Sequence, residues 1–221
     1  MNHLSGQTET THAVKSDHGN LDMPSIDRQR STNTRQKLIS AGQRLLAQAG
    51  YEAVNSNAVA KGAGVTPPIF YRHFADKYDL LKTIGERLME VQNEIILGPV
   101  TPAMDDVDAQ MQQIRSRFEH VLDVTKAFEG AHAILVAMRA IPELFPVRLT
   151  SHEETARAMV ASLALSVPDA EKDELYIRAR VAMEIGHGLV EMLCEQNFRG
   201  RVRIVSIGVT SIHAALSSPV E

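Results

Sequence analysis

The chain has 221 residues, of which 44% are hydrophobic and 23% are charged, a composition that supports a buried core and excludes wholesale disorder. It contains no apolar run long enough to span a membrane, and its N-terminus lacks the regions of a signal peptide, so we expect a cytoplasmic protein. The single cysteine, Cys194, excludes an internal disulfide and a cluster of cysteine metal ligands.

The net charge of -4 hides an uneven distribution of charge along the chain. Residues 1–27 carry one lysine against four acids, and residues 88–221 carry twelve basic residues against nineteen acids. Residues 28–87, in contrast, carry ten lysines and arginines against four acids, a net charge of +6. Because phosphates respond to local charge, this middle segment is a candidate for contact with nucleic acid.

Residues 1–31 are rich in small polar side chains, and we predict a mobile tail there. From residue 32 the apolar side chains recur with helical spacing, which predicts a helix that Thr32 or Asn33 caps and Gly50 ends. The apolar stripe of this helix consists of Leu38, Ile39, Leu45, Leu46 and Ala49.

Two short helical segments come next. Asn55 or Ser56 is predicted to cap the first, and Gly64 supplies the left-handed residue of a tight turn. Thr66 is predicted to cap the second, whose first turn holds two prolines at no cost in hydrogen bonds. In that second segment Phe70 and its partner four residues later, Phe74, are predicted core residues.

A fourth helix is predicted from Asp76, with Asp79 three residues on, to about Leu97. The segment 131–141 is apolar on nearly all sides, which is typical of a helix in the middle of a bundle. An apolar stripe from Val107 to Leu122 predicts a further helix, and the remaining predicted helices cover residues 151–165, capped by Ser151 and Glu154, and residues 168–198 and 202–216. No strand alternation is visible, so the predicted fold class is all-α.

Residues 50–81 have the pattern of a helix-turn-helix, whose second helix fits the DNA major groove. This segment resembles the TetR family of bacterial transcriptional regulators. The resemblance is carried by Gly50-Tyr51, Ala60, Gly64-Val65-Thr66, Tyr71-Arg72-His73-Phe74 and Lys77, and it extends from Thr32 to Arg87. The rest of the chain resembles the family only in length and helicity.

The resemblance implies a DNA-binding domain over residues 32–87. The implied DNA contacts are Ser56, Asn57, Thr66, Pro67, Pro68, Ile69, Tyr71, Arg72, His73 and Lys77. One departure from the family is the tip of the recognition helix, Pro67-Pro68-Ile69, where relatives often have a polar residue. We therefore expect base reading through thymine methyl groups and DNA shape.

The resemblance also implies that residues 88–221 bind a small effector and form a homodimer through the last two helices. The broad apolar faces of those helices independently favour a dimer, with Val205 and Val209 on the seam of the last one. Candidate effector contacts are Met111, Phe118, His132, Met138 and Arg139. The histidine and the arginine interrupt an apolar helix and need partners in the protein or in a ligand, whereas methionines and phenylalanines at this spacing are more often plain core.

These observations predict a ligand-responsive DNA-binding regulator, a repressor rather than an activator, that a small-molecule effector releases from a near-palindromic operator. One alternative is a constitutive or architectural DNA-binding protein without an effector, and another is an all-α enzyme. We expect no catalytic residue, no cofactor, no metal and no membrane contact. We interpret Gly186-His187-Gly188 as a helix packing site, because the strand that precedes a nucleotide-binding loop is missing.

Overall fold

The computed structural model describes residues 23–99, 106–163, 169–195 and 199–217, and the regular elements in those ranges are all helical. The first four α-helices are α1 (Met23–Ala49), α2 (Ser56–Ala63), α3 (Pro67–Tyr71) and α4 (Lys77–Ile96). The others are α5 (Val107–Ala127), α6 (Ala131–Ala140), α7 (Phe145–Leu163), α8 (Asp169–Cys194) and α9 (Arg201–Ser217), and single 3-10 turns cover Tyr51–Ala53 and Pro142–Leu144. The all-α prediction is confirmed.

Short side chains cap α2 and α4 where the sequence predicts, whereas the predicted cap of α3, Thr66, makes no side-chain capping bond. The Asn55 side chain accepts a hydrogen bond of 2.9 Å from the backbone N–H of Ala58 and starts α2. Asp76 accepts bonds of 2.8 and 2.9 Å from the backbone N–H groups of Tyr78 and Asp79 and starts α4. Such caps satisfy donors that have no partner inside the helix, so they set where each helix begins.

Helix α1 begins at Met23, nine residues before the predicted cap at Thr32. The prediction of a tail through residue 31 is therefore wrong for residues 23–31, and residues 1–22 lie outside the described part of the chain. The Thr32 hydroxyl donates a bond of 2.9 Å to the carbonyl of Arg28, one turn earlier in the helix, instead of capping. This stretch contains no glycine, and its only proline, Pro24, lies in the first turn, where proline is tolerated.

The predicted cap of α7 is also wrong. The helix begins at Phe145, directly after the 3-10 turn, so Ser151 lies inside it. The Ser151 hydroxyl instead accepts a hydrogen bond of 2.9 Å from the side-chain amide of Asn93 on α4. Of the predicted bounds in this region, Leu165, Pro168 and Phe198 lie outside the described residues.

The described residues form two hydrophobic cores. The first is formed by the four helices from α1 through α4, together with α6 and the turn that follows α6. The predicted core residues Phe70 and Phe74 are fully buried in it. The second joins α5, α8 and α9. Helix α4 contributes Leu88 and Met89 to the first core, and Ile96 packs against the second. Helix α4 therefore contributes to both cores.

No helix of the described ranges is long and apolar enough to cross a membrane.

Candidate functional site

The turn between α2 and α3 has the geometry that a helix-turn-helix requires. Gly64 ends α2 in the left-handed region, with φ 70° and ψ 32°. The backbone N–H of Val65 then donates to the carbonyl of Ala60 at 3.0 Å. Helix α3 is held on the first core by the rings of Phe70 and Phe74, whose centroids are 5.7 Å apart. Because these rings point inward, the opposite face of α3 is presented to solvent.

That exposed face carries most of the residues predicted to contact DNA. Thr66, Pro67, Pro68 and Arg72 are exposed, as is Asn57 on α2, whereas Ile69, His73, Lys77 and Ser56 are partly buried. The Tyr71 side chain is 57% exposed, and its hydroxyl lies 2.9 Å from the Ser56 hydroxyl. This bond joins the start of α2 to the end of α3, so both side chains belong to one surface.

The junction of α3 and α4 is rich in basic side chains. Burial, followed by the positive charges of Arg72 and Arg35, lowers the pKa of His73 below its ordinary value, so this imidazole is neutral at pH 7. The Arg35 guanidinium lies 5.0 Å from the centre of the Phe74 ring and donates to the Thr83 hydroxyl at 3.3 Å. Arg35 belongs to α1, so the fold brings this helix beside the junction.

A cavity of about 160 Å³ lies among α4, α5, α7, α8 and α9. Its wall is mainly apolar, formed by side chains that include Met89, Ile96, Ile114, Phe118, Val121 and Val190. The polar lining residues are Gln92, Asn93, Arg117, His152 and His187. An apolar concave site with a few polar groups is the usual form of a small-molecule site.

Most of the polar lining residues have partners in the protein. The Gln92 amide donates to the Thr125 hydroxyl at 2.7 Å, and the Asn93 amide donates to the Ser151 hydroxyl at 2.9 Å. The Arg117 guanidinium donates to the backbone carbonyls of Ile96, Gly98 and Pro99 at distances from 2.6 to 2.9 Å. These bonds fasten the C-terminal end of α4 to α5 and α7.

The two histidines of the cavity lie edge to face, with ring centroids 4.8 Å apart. Nδ1 of His152 lies 3.1 Å from one carboxylate oxygen of Glu184, and the other oxygen of this carboxylate accepts from Arg148 at 2.7 Å. His187 is 7% exposed, and its buried Nε2 has no hydrogen-bond partner in the described chain. Burial, followed by the nearby His152, Arg148 and Arg139, lowers the pKa of His187 to about 3. Burial also lowers the pKa of His152, so both rings are neutral at pH 7.

The structure separates the five predicted effector contacts. Phe118 lines the cavity, Met111 packs against the second core, and Met138 is buried in the first core. The expectation that His132 and Arg139 are buried in an apolar helix is wrong, because both are exposed and the arginine pairs with Glu191 of α8. Helix α6 has one solvent-facing side, and both residues lie on it.

Sequence reasoning missed the two histidines of the cavity. The sequence singles out His187 only within Gly186-His187-Gly188, and a Cβ at Gly186 would lie 3.7 Å from the Ile212 Cδ1 of α9, an ordinary contact that does not require glycine. The sequence does not single out His152, because the predicted start of α7 lies at Ser151 whereas the helix begins at Phe145. No cluster of three or more histidines, cysteines and acids that could hold a metal ion occurs among the residues described.

Comparisons with known proteins identify the N-terminal part of the chain. Residues 38–84 match the family described as bacterial regulatory proteins, tetR family. The HTH-type transcriptional regulator AcrR of Shigella flexneri is 39% identical over 59 residues, which are 27% of this chain and 27% of AcrR. The matched part thus spans about a quarter of that relative.

Solved structures resemble the chain over most of its length. A tetR-family transcriptional regulator from Streptomyces coelicolor matches with a TM-score of 0.63 and 16% identity, over 84% of this chain and 80% of that one. GusR of Salmonella enterica matches with a TM-score of 0.61 and 15% identity, over 83% and 94% of the two chains. At such identities the likeness shows the fold alone, and that fold includes both the helix-turn-helix and the bundle.

Proposed function

We propose that this chain is a DNA-binding transcriptional regulator of the TetR family, a proposal that the match of residues 38–84 to that family supports. One observation carries the proposal. Helix α3 is anchored by Phe70 and Phe74, and its opposite face is free to enter a groove, within a segment whose net charge is +6. A regulator of this kind acts on the chromosome, and hence in the cytoplasm.

The proposed contacts divide into those that position the protein and those that read the bases. Tyr71, His73 and Lys77 bind phosphates, and the bond between Ser56 and Tyr71 orients both hydroxyl groups toward the backbone of the DNA. The neutral His73 contributes a hydrogen bond and no charge. Asn57, Thr66, Pro67, Pro68, Ile69 and Arg72 complete the surface, on which the two prolines and the isoleucine offer only apolar contact to the bases.

We further propose a homodimer that joins exposed apolar side chains of α8 and α9. Ile177 and Val181 lie four residues apart on α8 and are 55% and 47% exposed, and Val202 and Ile207 on α9 are 80% and 56% exposed. The exposure of such large apolar side chains on neighbouring helices favours a partner surface. Two heads held by such an interface read a near-palindromic operator.

The proposed effector site is the cavity, not the outer face of α6. Met89, Gln92 and Ile96 of α4 line the cavity, and the same helix begins at Lys77 beside the recognition helix. A ligand that moves α4 would therefore change the position of the DNA-binding surface. In this proposal residues 32–87 bind DNA, residues 88–221 bind the effector and dimerise, and the effector releases a repressor from its operator.

Footprinting of genomic fragments with the purified full chain tests the DNA-binding proposal. We expect a protected site with approximate two-fold symmetry. Lys77→Ala should weaken binding to all sequences alike and lower the slope of log affinity against log salt by about 1. Lys82→Ala, a matched change further along α4, should leave both quantities unchanged. A chain that binds no fragment specifically, or that binds a site without symmetry, contradicts the proposal.

A further inference from the structure

Arg117 gives the wall of the cavity a positive charge. Among the described residues that line the cavity it is the one that is charged at pH 7, because both histidines are neutral there. Its guanidinium donates to the backbone carbonyls of Ile96, Gly98 and Pro99. Carbonyl groups satisfy these N–H donors but carry no net charge. The negative pole of the α4 dipole adds only about half an elementary charge, so the wall stays positive.

The charged groups behind another part of the wall have the same excess. The lining residue His152 bonds to the carboxylate of Glu184, as described above. Two guanidinium groups share that carboxylate, Arg148 at 2.7 Å and Arg180 at 3.3 Å. This cluster therefore has two positive charges and one negative charge, and it does not offset the charge of the arginine on α5.

The shape and polarity of the cavity define the rest of a matching ligand. The cavity is partly open to solvent, so its volume sets no limit on the length of a molecule that extends through the opening. Most of its wall is apolar, with Met89, Phe118 and Val190 among the buried lining side chains. Covering such side chains with an apolar group removes them from water, which is favourable. A negative charge near Arg117 is favourable as well, because opposite charges attract more strongly in a poorly hydrated site than in water.

We infer that the cavity binds an amphipathic carboxylate, whose apolar body packs against Met89, Phe118 and Val190 and whose negative group lies beside Arg117. This inference rests on the proposal that the cavity is the effector site, and it names the chemical class of the effector. A carboxylate has a single negative charge at pH 7 and matches the one charge of the lining. A phosphate monoester carries nearly two negative charges and leaves one of them without a partner.

Calorimetry with the full chain, without DNA, tests the sign of the charge. One series of probes consists of octanoate, octanol and octylammonium, and the other of phenylacetate, phenylethanol and phenylethylammonium. Within a series the number of carbon atoms is constant and the polar group changes. In each series that binds, we expect the carboxylate to bind about 10-fold more tightly than the alcohol, and the ammonium to bind most weakly. An alcohol or ammonium that equals its carboxylate, or binding of none of the six at millimolar concentration, would overturn the inference.

Removing the charge of the wall tests the role assigned to Arg117. Arg117→Gln should bind the carboxylate and the alcohol of a series with equal affinity. Arg115→Gln is the control, because Arg115 lies on the same helix but pairs with Glu119 and is not a lining residue. This control should keep the preference of the wild type. A carboxylate preference that persists in Arg117→Gln would contradict the inference.

A second pair of variants leaves the bonds between Arg117 and α4 in place, in case Arg117→Gln does not fold. Ile114 lines the cavity and lies three residues before Arg117, so Ile114→Glu places an acid beside the guanidinium. Ile114→Glu should lose the carboxylate preference, whereas Ile114→Gln, of similar size and without charge, should keep it. An unchanged preference in Ile114→Glu, or its loss in Ile114→Gln, would show that the charge of the wall does not select the ligand.

Operator binding, measured separately, distinguishes this inference from the proposed function. A carboxylate that binds without altering operator affinity leaves the ligand class intact and removes the effector role of the cavity. Specific operator binding by a chain that takes none of the six probes leaves the regulator intact and overturns the ligand class.

Discussion

Gly130 lies so close to Leu46 that a Cβ at residue 130 would come within 2.7 Å of the Leu46 Cβ. The same Cβ would come within 2.9 Å of the Gln43 carbonyl oxygen. The φ of Gly130 is 81°, in the left-handed region that disfavours residues with a side chain. The residue that starts α6 is therefore pressed against the C-terminal half of α1, where the bundle meets the helix-turn-helix.

Gly130→Ala should lower the free energy of unfolding more than Gly64→Ala. Gly64 has a similar φ of 70°, but a Cβ there meets nothing within 4 Å, so its cost is backbone strain of about 1 kcal/mol. At Gly130 the strain is joined by overlap with backbone and core atoms, and we expect a loss of about 3 kcal/mol. Urea unfolding of the two variants measures the difference. Equal losses would mean that α6 can move away from α1 without cost.

The stability of the protein should depend on pH through His187. Its pKa is about 3 in the folded chain and about 6.5 when unfolded, so between these values the unfolded chain binds more protons. The stabilisation is complete above pH 6.5 and is lost as pH falls toward 3. Between pH 7 and pH 5 we expect His187 to account for a loss of about 2 kcal/mol in the free energy of unfolding.

Urea unfolding at both pH values checks this dependence. His187→Gln should flatten it by about that amount, whatever the variant's stability at pH 7. His120→Gln, at an exposed position of α5, serves as the control and should retain the slope of the wild type. A variant at residue 187 with an unchanged slope would show that the ring is not kept neutral by its surroundings.

The proposed dimer should dissociate when charges are placed on the exposed faces of α8 and α9. We expect the wild type to be a dimer by sedimentation at micromolar concentration, and we expect Val181→Glu combined with Ile207→Glu to give a monomer. Val107→Glu is a matched control, because Val107 is 54% exposed but lies on α5. Dissociation of the control, or a dimer that survives the double change, would place the interface elsewhere.

Ile69 should affect recognition of particular sequences. We expect Ile69→Ala to weaken binding by about 1 kcal/mol at sites that present a thymine methyl group to it, and to leave the salt dependence unchanged. Replacing that thymine by uracil should cause the same loss in the wild type and little further loss in the variant. Because Ile69 is partly buried, an equal loss on operator and random DNA would identify it as a packing residue of α3.

Local sequence signals predicted the N-terminal elements well. Asn55 and Asp76 bond to backbone groups two or three residues away, so their role can be read from neighbouring residues. Thr32 and Ser151 have the same chemistry but lie inside helices, where their hydroxyls serve other partners. A capping residue can be distinguished from an interior residue only by the turn that precedes it. For Thr32 and Ser151 that preceding turn is already helical, which the sequence does not predict.

The cavity, in contrast, could not be predicted. His152 and His187 belong to different helices and meet only because α7 and α8 pack together. Helical periodicity shows that a helix has an apolar face, but it does not show which neighbouring helix covers that face. For this reason the sequence predicts His132 inside the bundle, although it is exposed. The same limit applied to Val205 and Val209, which were predicted to lie on a dimer seam and are buried against α5 and α8 within one chain.

Helix α4 has one end in each half of the molecule, and its length has a mechanical consequence. Lys77 is its first residue and Ile96 its last, so the two are separated by about 28 Å along the axis. A tilt of about 10° around the cavity end carries Lys77 through about 5 Å, which exceeds the rise of about 3.4 Å between successive phosphates of one DNA strand. In the proposed complex with DNA, such a tilt would move Lys77 off the phosphate that it contacts while Ile96, at the pivot, stays in place.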